Sequence, residues 1–382
     1  MVVDLSGVTI IYLVSEDWYF VSHRLPVARA ARDAGARVVV ATRCTEHQLT
    51  IEREGFEVVN IDFDRSGLNP VHDLRVLVQI INCYRHFRPA IVHHVAAKPV
   101  MLGHIAASIS GVKCVINAMA GMGFLYISQT RKAKILRQIF EGVVSKLNRS
   151  KVVRIIVQNE DDATIFENLG LPRRKIALIS GSGVDCERFT LSPEPEGEVV
   201  ALCVSRLLRD KGLYELVDAS RILKARGVPV KIRIVGGRDD NPTSVAEKDL
   251  SNWKREGIVE IFGHSKDVDQ EYTRSHIAVL PSYREGLPKS LLEAAASGRP
   301  IVATDVPGCR TICRDEENGI LVPVKDPAAI ADAIERLVGD ADLRMRMGAA
   351  GRNLVLSKFS QEIVARKTLE LYKEVLVFAR SP

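Results

Sequence analysis

Thirteen short runs of β-branched and aliphatic residues, separated by stretches with helical spacing, recur from one end of the chain to the other. The first seven are VTIIYLV, RVVVA, EVVNI, AIVHHV, KCVINA, RIIVQ and KIALIS; after LSPEPEGE come VVALCVS, VKIRIVG, IVEIF, IAVLP, PIVAT and GILVP. A strand with one face in water alternates apolar and polar residues, whereas a strand covered on both faces is apolar throughout. The pattern therefore predicts an α/β protein with two parallel sheets, each flanked by helices. LSPEPEGE reads as a linker, and 382 residues suffice for two cores. The expected division is an N-terminal domain over 1–190, a C-terminal domain over 191–359, and a closing helical segment over 360–382 that packs back on the first domain. In open sheets of this kind ligands sit beyond the carboxyl ends of the strands, so two facing domains would enclose a cleft.

Seven cysteines, odd in number and without paired CxxC spacing, indicate neither a disulfide framework nor a zinc site, and point to a reducing cytosol. The first apolar run lacks a cleavage site and reads as a buried strand, and no stretch approaches the ~20 apolar residues needed to cross a bilayer. The formal charge of +6 is unevenly placed, for residues 74–154 hold many lysines and arginines against the single acid Glu141. The densest part, QTRKAKILRQIFEGVVSKLNRSK, sets Arg131, Lys132, Lys134 and Arg137 among apolar residues at helical spacing. Such a helix either lies on an anionic membrane or packs on a core with a solvated basic back. The imbalance over the whole segment favours the membrane surface, because each basic side chain adds to the attraction. No zinc-finger spacing or RNP-like motif accompanies the charge, so nucleic acid is not an expected partner.

The chain has no Gly-Lys dipeptide, which excludes a Walker A loop. Gly121-x-Gly123 is followed by Tyr126 where the dinucleotide fingerprint needs a glycine, and reads as a tight turn. The adjacent acids Asp239 and Asp240 read as a solvated loop, and no metal site is expected.

The second half is richer. PSYREGLPKSLLEAAASGRP, residues 281–300, places Glu285 and Glu293 around a Gly286-Leu287-Pro288 turn that opens a helix. A helix mouth attracts anions through its N–H groups and dipole. Glu293 either pairs with Lys289 one turn back on a solvated face or serves a ligand. Other strand ends supply Arg206 and Lys211 from VSRLLRDKG and Gly236 with Gly237 from IVGG. Two cations, a close glycine backbone and a helix mouth can neutralise a diphosphate without a metal, leaving the carboxylates to accept hydrogen bonds from hydroxyl groups.

In the order and spacing of SGSGVDCERF, VSRLLRDKG, FGHSKDV, LPSYREGLPKSLLEAAASGRPIVATDVPGCRTI and NGILVPVKDP, the chain resembles the retaining glycosyltransferases of family four, with their two-domain GT-B fold. The resemblance implies that Arg206 and Lys211 bind the donor diphosphate, Glu285 contacts the donor sugar and Glu293 the ribose. It also implies that the Gly286-Leu287 backbone faces the phosphate and that the segment from Phe262 to His264 lies near the base. The first half departs from the family pattern. SEDWYFVSHRLP stands where many members have paired glycines, and Ala120 stands where they often have a histidine. His23 and His94 are replacements by position, or else satisfied structural histidines. Lys98 meets an acceptor phosphate or is a surface lysine. The resulting expectation is transfer of a sugar, an N-acetylhexosamine, from a UDP-sugar donor to a polyprenyl-diphosphate-linked saccharide in cell-surface glycan synthesis. Retention, no cofactor and no metal are expected, at the cytoplasmic face of the cell membrane. A sugar-nucleotide epimerase of the same fold and a non-catalytic scaffold binding nucleotide sugar or lipid are the alternatives.

Overall fold

The computed structural model describes residues 3–64, 69–119, 137, 138, 141, 142, 152–238, 241 and 243–380. The chain forms two compact units, one of Met1–Ser182 with Gln361–Pro382 and one of Gly183–Ser360.

In the first unit seven parallel strands pair in the order β3-β2-β1-β4-β5-β6-β7. They are β1 (Thr9–Glu16), β2 (Arg37–Arg43), β3 (Glu57–Asn60), β4 (Ile91–Val95), β5 (Cys114–Ala118), β6 (Val153–Val157) and β7 (Ile176–Leu178). Successive side chains of a strand point to opposite faces, and here both faces are dry. Ile10, Tyr12 and Val14 enter one core with Phe20 and Tyr372, while Ile11 and Leu13 enter another with Val76, Ile80 and Ala106. The second core is covered by the helices Pro70–Phe87 and Ala97–Ser110.

The closing helix Gln361–Arg380 is an integral layer of this unit. The Tyr372 hydroxyl donates to the Tyr12 hydroxyl at 2.9 Å and lies 2.6 Å from Nδ1 of the buried His93. Glu374 accepts from Arg154 at 2.6 Å, and the Arg154 guanidinium lies over the Phe378 ring. Buried polar groups are costly without partners, so this network fixes where the helix rests.

The second unit holds six parallel strands in the order β10-β9-β8-β11-β12-β13. These are β8 (Val199–Val204), β9 (Val230–Val235), β10 (Glu260–Phe262), β11 (Ile277–Leu280), β12 (Ile301–Thr304) and β13 (Gly319–Val322). All thirteen apolar runs are thus strands. Both orders reverse direction beside their first strand, at β1/β4 and β8/β11, as in doubly wound nucleotide-binding sheets.

The sequence boundaries shift in detail. The units divide after Ser182 and again after Ser360. The stretch read as a linker is packed into the second unit. Arg344 grips Glu194 with two hydrogen bonds of 2.8 and 2.7 Å, and the buried Arg299 holds the Pro193 carbonyl at 3.1 Å. Its prolines mark an extended segment held by arginines from below.

Removing the Tyr372 hydroxyl leaves two buried partners, Tyr12 and His93, short of a hydrogen bond. Tyr372→Phe is expected to destabilise the first unit by about 2 kcal/mol, read as a lowered urea midpoint. An unchanged midpoint would refute the anchoring role of this helix.

Candidate functional site

The carboxyl ends of β8 to β11 gather most of the residues singled out in the second half. Their loops are locked to one another by close backbone approach. Gly236, just after β9, sits so near β8 that a Cβ there would lie 1.8 Å from the Ser205 carbonyl oxygen. Leu207 then donates to the Gly237 carbonyl at 3.0 Å. Gly212, in the left-handed region at φ 69°, similarly lies against the Pro281 carbonyl, where a Cβ would come within 2.0 Å. Across the same join Tyr283 donates its N–H to the Asp210 carbonyl at 2.9 Å. Only glycine fits at these two crossings, and they set the β8 loop against those of β9 and β11.

This lock brings Lys211 and Glu285 into direct contact. The Lys211 ammonium pairs with Glu285 Oε1, and the Ser282 hydroxyl donates to the same oxygen at 2.6 Å. Ser282 is fully buried, and its carbonyl accepts from the Thr304 hydroxyl at the end of β12. Tyr283 is held in turn by Glu215 at 2.6 Å and lies under the Lys325 ammonium. Arg206 stands exposed on the loop that carries Lys211.

The β9 and β10 ends form the adjoining wall. Gly236 donates to the carbonyls of Phe262 and Gly263 at 3.3 and 3.1 Å. The Phe262 ring is half exposed with the Arg233 guanidinium 5.2 Å from its centre, and His264 lies against Gly237. Beyond Glu285, Gly286 lies in the turn and Leu287 packs against the core. The helix that follows is Lys289–Ala296, with Pro288 as its N-cap. Glu293 is no solvated surface acid. Only 8% exposed, its carboxyl is pushed up to about 7 by burial, against the opposing pull of the Lys289 ammonium at 3.6 Å.

The first-unit candidates have other surroundings. His94 is fully buried inside β4, with Nε2 2.9 Å from the Tyr84 hydroxyl and Nδ1 2.8 Å from Asn117 Oδ1. Burial lowers its pKa to about 3. The expectation of His94 as a reacting group is therefore corrected: both ring nitrogens are occupied by core partners. His23 ends the helix Asp17–His23, stacked on Tyr19 at 4.2 Å with Nδ1 2.6 Å from the Ser22 hydroxyl. Lys98 pairs with Asp73 at 2.7 Å and donates to the Asp64 carbonyl at 2.8 Å, so it is tied within the fold. Arg137 is helical and half-buried, while Arg131, Lys132 and Lys134 lie outside the described residues, as do Ala120, Gly121, Gly123, Asp239 and Asp240.

Sequence reasoning missed Ser282, which holds Glu285, and Thr304, which holds Ser282, and it also missed Asp17. Burial alone would raise the Asp17 carboxyl, but hydrogen bonds from Thr45, His47 and Trp18 outweigh it and hold it below the ordinary carboxylate range. Its signal was available as an acid in the first turn after a strand. Among the described residues no group of three His, Cys, Asp or Glu is placed to hold a metal ion.

Residues 187–354 match the family model of the glycosyl transferases group 1, and residues 9–159 match that of the glycosyl transferase 4-like proteins. The chain is 27% identical over 366 residues to N,N'-diacetylbacillosaminyl-diphospho-undecaprenol alpha-1,3-N-acetylgalactosaminyltransferase of Campylobacter jejuni, covering 92% of this chain and 95% of that protein. It is 24% identical over 323 residues to UDP-Gal:alpha-D-GlcNAc-diphosphoundecaprenol alpha-1,3-galactosyltransferase of Escherichia coli, covering 81% and 82%. Among solved structures, a glycosyltransferase from Rickettsia africae superimposes with a TM-score of 0.79 at 21% identity, over 97% of this chain and 98% of that one. Anabaena Alr3699/HepE in complex with UDP and glucose gives 0.78 at 16% identity, over 95% and 99%. The chain belongs to the glycosyltransferases, with a glycosyl transferase 4-like half, a group 1 half and the GT-B fold of two parallel-sheet domains.

Proposed function

We propose that this glycosyltransferase moves an N-acetylhexosamine from a UDP-sugar to a polyprenyl-diphosphate-linked saccharide, with retention and without a metal, at the inner face of the cell membrane. The observation that carries the reading is the Lys211–Glu285 pair, set at the switch point of a doubly wound sheet. The names of the Campylobacter and Escherichia relatives, both with undecaprenyl-diphosphate acceptors and alpha-1,3 linkages, support the acceptor class and an α product. The second name and the Anabaena complex support a uridine nucleotide donor. The peripheral location fits the described residues, among which no helix is long and apolar enough to cross a membrane.

In the proposed reaction the bond from the sugar C1 to the phosphate oxygen breaks as the acceptor oxygen bonds to C1 on the same face. The acceptor proton passes to the departing phosphate oxygen, and UDP leaves. Lys211, Arg206 and the mouth of the helix Lys289–Ala296 stabilise the charge that grows on the diphosphate. Glu285 orients the sugar hydroxyls, Glu293 accepts from the ribose, and the Phe262–His264 segment borders the base. No metal is called for because these groups already supply positive charge.

Lys211→Ala and Glu285→Ala are each expected to lower kcat/KM by about a hundredfold or more, with the circular-dichroism spectrum unchanged. Mass spectrometry of products from a donor panel and a polyprenyl-diphosphate saccharide checks this, and EDTA is expected to leave the rate intact. Near-normal rates in both variants would overturn the site. Epimerised donor without nucleotide release, or tight donor binding without turnover, would overturn the reaction.

Glu293 gives a pH signature. Its folded pKa of about 7 lies above the unfolded carboxyl, so the folded state holds the extra proton between about 4.5 and 7. Folding stability is then expected to fall as pH rises through that window, by about 3 kcal/mol, and to level off above it. Donor affinity is expected to move oppositely, rising about tenfold from about pH 6 to 8 as the carboxylate forms. Glu293→Gln is expected to flatten both curves. Urea titrations and donor KM measured across this range check the pair.

A further inference from the structure

The helices Pro70–Phe87 and Ala97–Ser110 pack side by side over one face of the first sheet. The Lys98–Asp73 ion pair joins their first turns, so they run in the same direction from a common end. On the longer helix Val71, Leu74 and Val78 follow one another at three- and four-residue spacing along one face. On the shorter one Ile105 and Ile109 lie on the stripe that begins with Lys98, the side turned to its neighbour. Leu77 and Leu102 are half-buried against the core that both helices cover. The five outer side chains are exposed by 38% to 66%, which is unusual for aliphatic residues grouped on adjoining helices.

Along the chain from the first of these helices through the second, past Asp73, the charge has one sign. The acids Asp62, Asp64 and Asp73 lie at the first turns of the two helices, and Glu160, Asp161 and Glu167 lie on the next helix over the same core. From residue 74 to residue 119 the chain carries Arg75, Arg85, Arg88, Lys98 and Lys113 and no Asp or Glu. Arg75, Arg85, Arg88 and Lys113 are exposed, and Asp73, the acid just before this run, is engaged by Lys98. An aliphatic stripe bordered by arginines complements a surface that is apolar below and anionic above, which is the chemistry of a bilayer containing acidic lipids.

We propose that this two-helix face docks on an anionic bilayer, with Leu74, Val78 and Ile109 entering the headgroup boundary and the arginines meeting lipid phosphates. The inference rests on the lipid-linked acceptor reading and deepens it by assigning the membrane contact to described helices rather than to the segment around residues 131–137. Docking here would hold the enzyme at the surface that carries its acceptor, while leaving the donor loops of the second unit chemically untouched.

The experiment is co-sedimentation of the full chain with phosphatidylcholine vesicles, with and without phosphatidylglycerol. Binding is expected only when phosphatidylglycerol is present, weakening as salt is added. Leu74→Glu with Val78→Glu is expected to lower partitioning about tenfold or more, while transfer to a water-soluble acceptor analogue stays unchanged. Arg75→Glu with Arg85→Glu tests the charge independently should the first pair fail to fold. Wild-type sedimentation by either folded double variant would overturn the inference, as would no binding by the wild type. A wild-type dimer in sedimentation velocity that the first pair splits would overturn it too, by making the patch a subunit contact. A protein that partitions without transferring sugar keeps the docking surface and loses the transfer reading; one that transfers without partitioning loses the docking surface alone.

Discussion

Both sheets are covered on both faces, and this constraint decides where chemistry can occur. The side chains of β1, Ile10 to Val14, are all committed to one core or the other, as are those of β11, Ile277 to Leu280. A reacting polar group inside such a strand would lose its hydration without gaining access to substrate. Functional groups must therefore come from loops at the strand ends, and those loops need a firm seat. The seat in the second unit is backbone against backbone, Gly236 on Ser205 and Gly212 on Pro281, which places Lys211 and Glu285 without relying on flexible side-chain packing.

The Lys211–Glu285 pair has a consequence for binding as well as for geometry. Both side chains are largely withdrawn from water, so each charge depends on the other for compensation. A diphosphate brings negative charge that competes for the ammonium, and a sugar brings hydroxyls that satisfy the carboxylate. Under the proposed reaction, donor binding replaces one ion pair by two complementary contacts. The Ser282 hydroxyl continues to hold Glu285 Oε1 throughout, and the Thr304 contact holds Ser282 from β12. Removing one partner alone leaves the other charge stranded, which separates loss of transfer from loss of fold only when both are measured.

The strands were legible because a single rule, apolar on both faces, governs every one of them. Lys211 and Glu285 were legible because they sit in ordered blocks following β8 and β11. The failures have a different origin, for each depends on a partner distant in sequence. LSPEPEGE resembles a linker until Arg299 and Arg344, more than a hundred residues away, take up Pro193 and Glu194. His94 resembles a reacting histidine until Tyr84 and Asn117 close on its two nitrogens. For Glu293 the sequence left a solvated acid and a ligand contact both open, and the packing of its helix, by withdrawing the carboxyl from water, removes the first. Local pattern reads secondary structure well; it cannot read what the fold brings from elsewhere.

The two units share a topology yet present different chemistry at their first strand ends. After β8 the second unit offers Arg206 and Lys211, charges suited to an anion. After β1 the first unit offers Asp17 and an aromatic group, Trp18, Tyr19 and His23. The Asp17 carboxylate is committed to Thr45, His47 and Trp18, and so ties the start of the helix Asp17–His23 to the segment after β2. Trp18 meets Tyr19 edge-on and Tyr19 stacks on His23, so this strand end carries rings where the second unit carries cations. A doubly wound sheet thus determines where loops emerge, while the loop residues determine what those positions recognise.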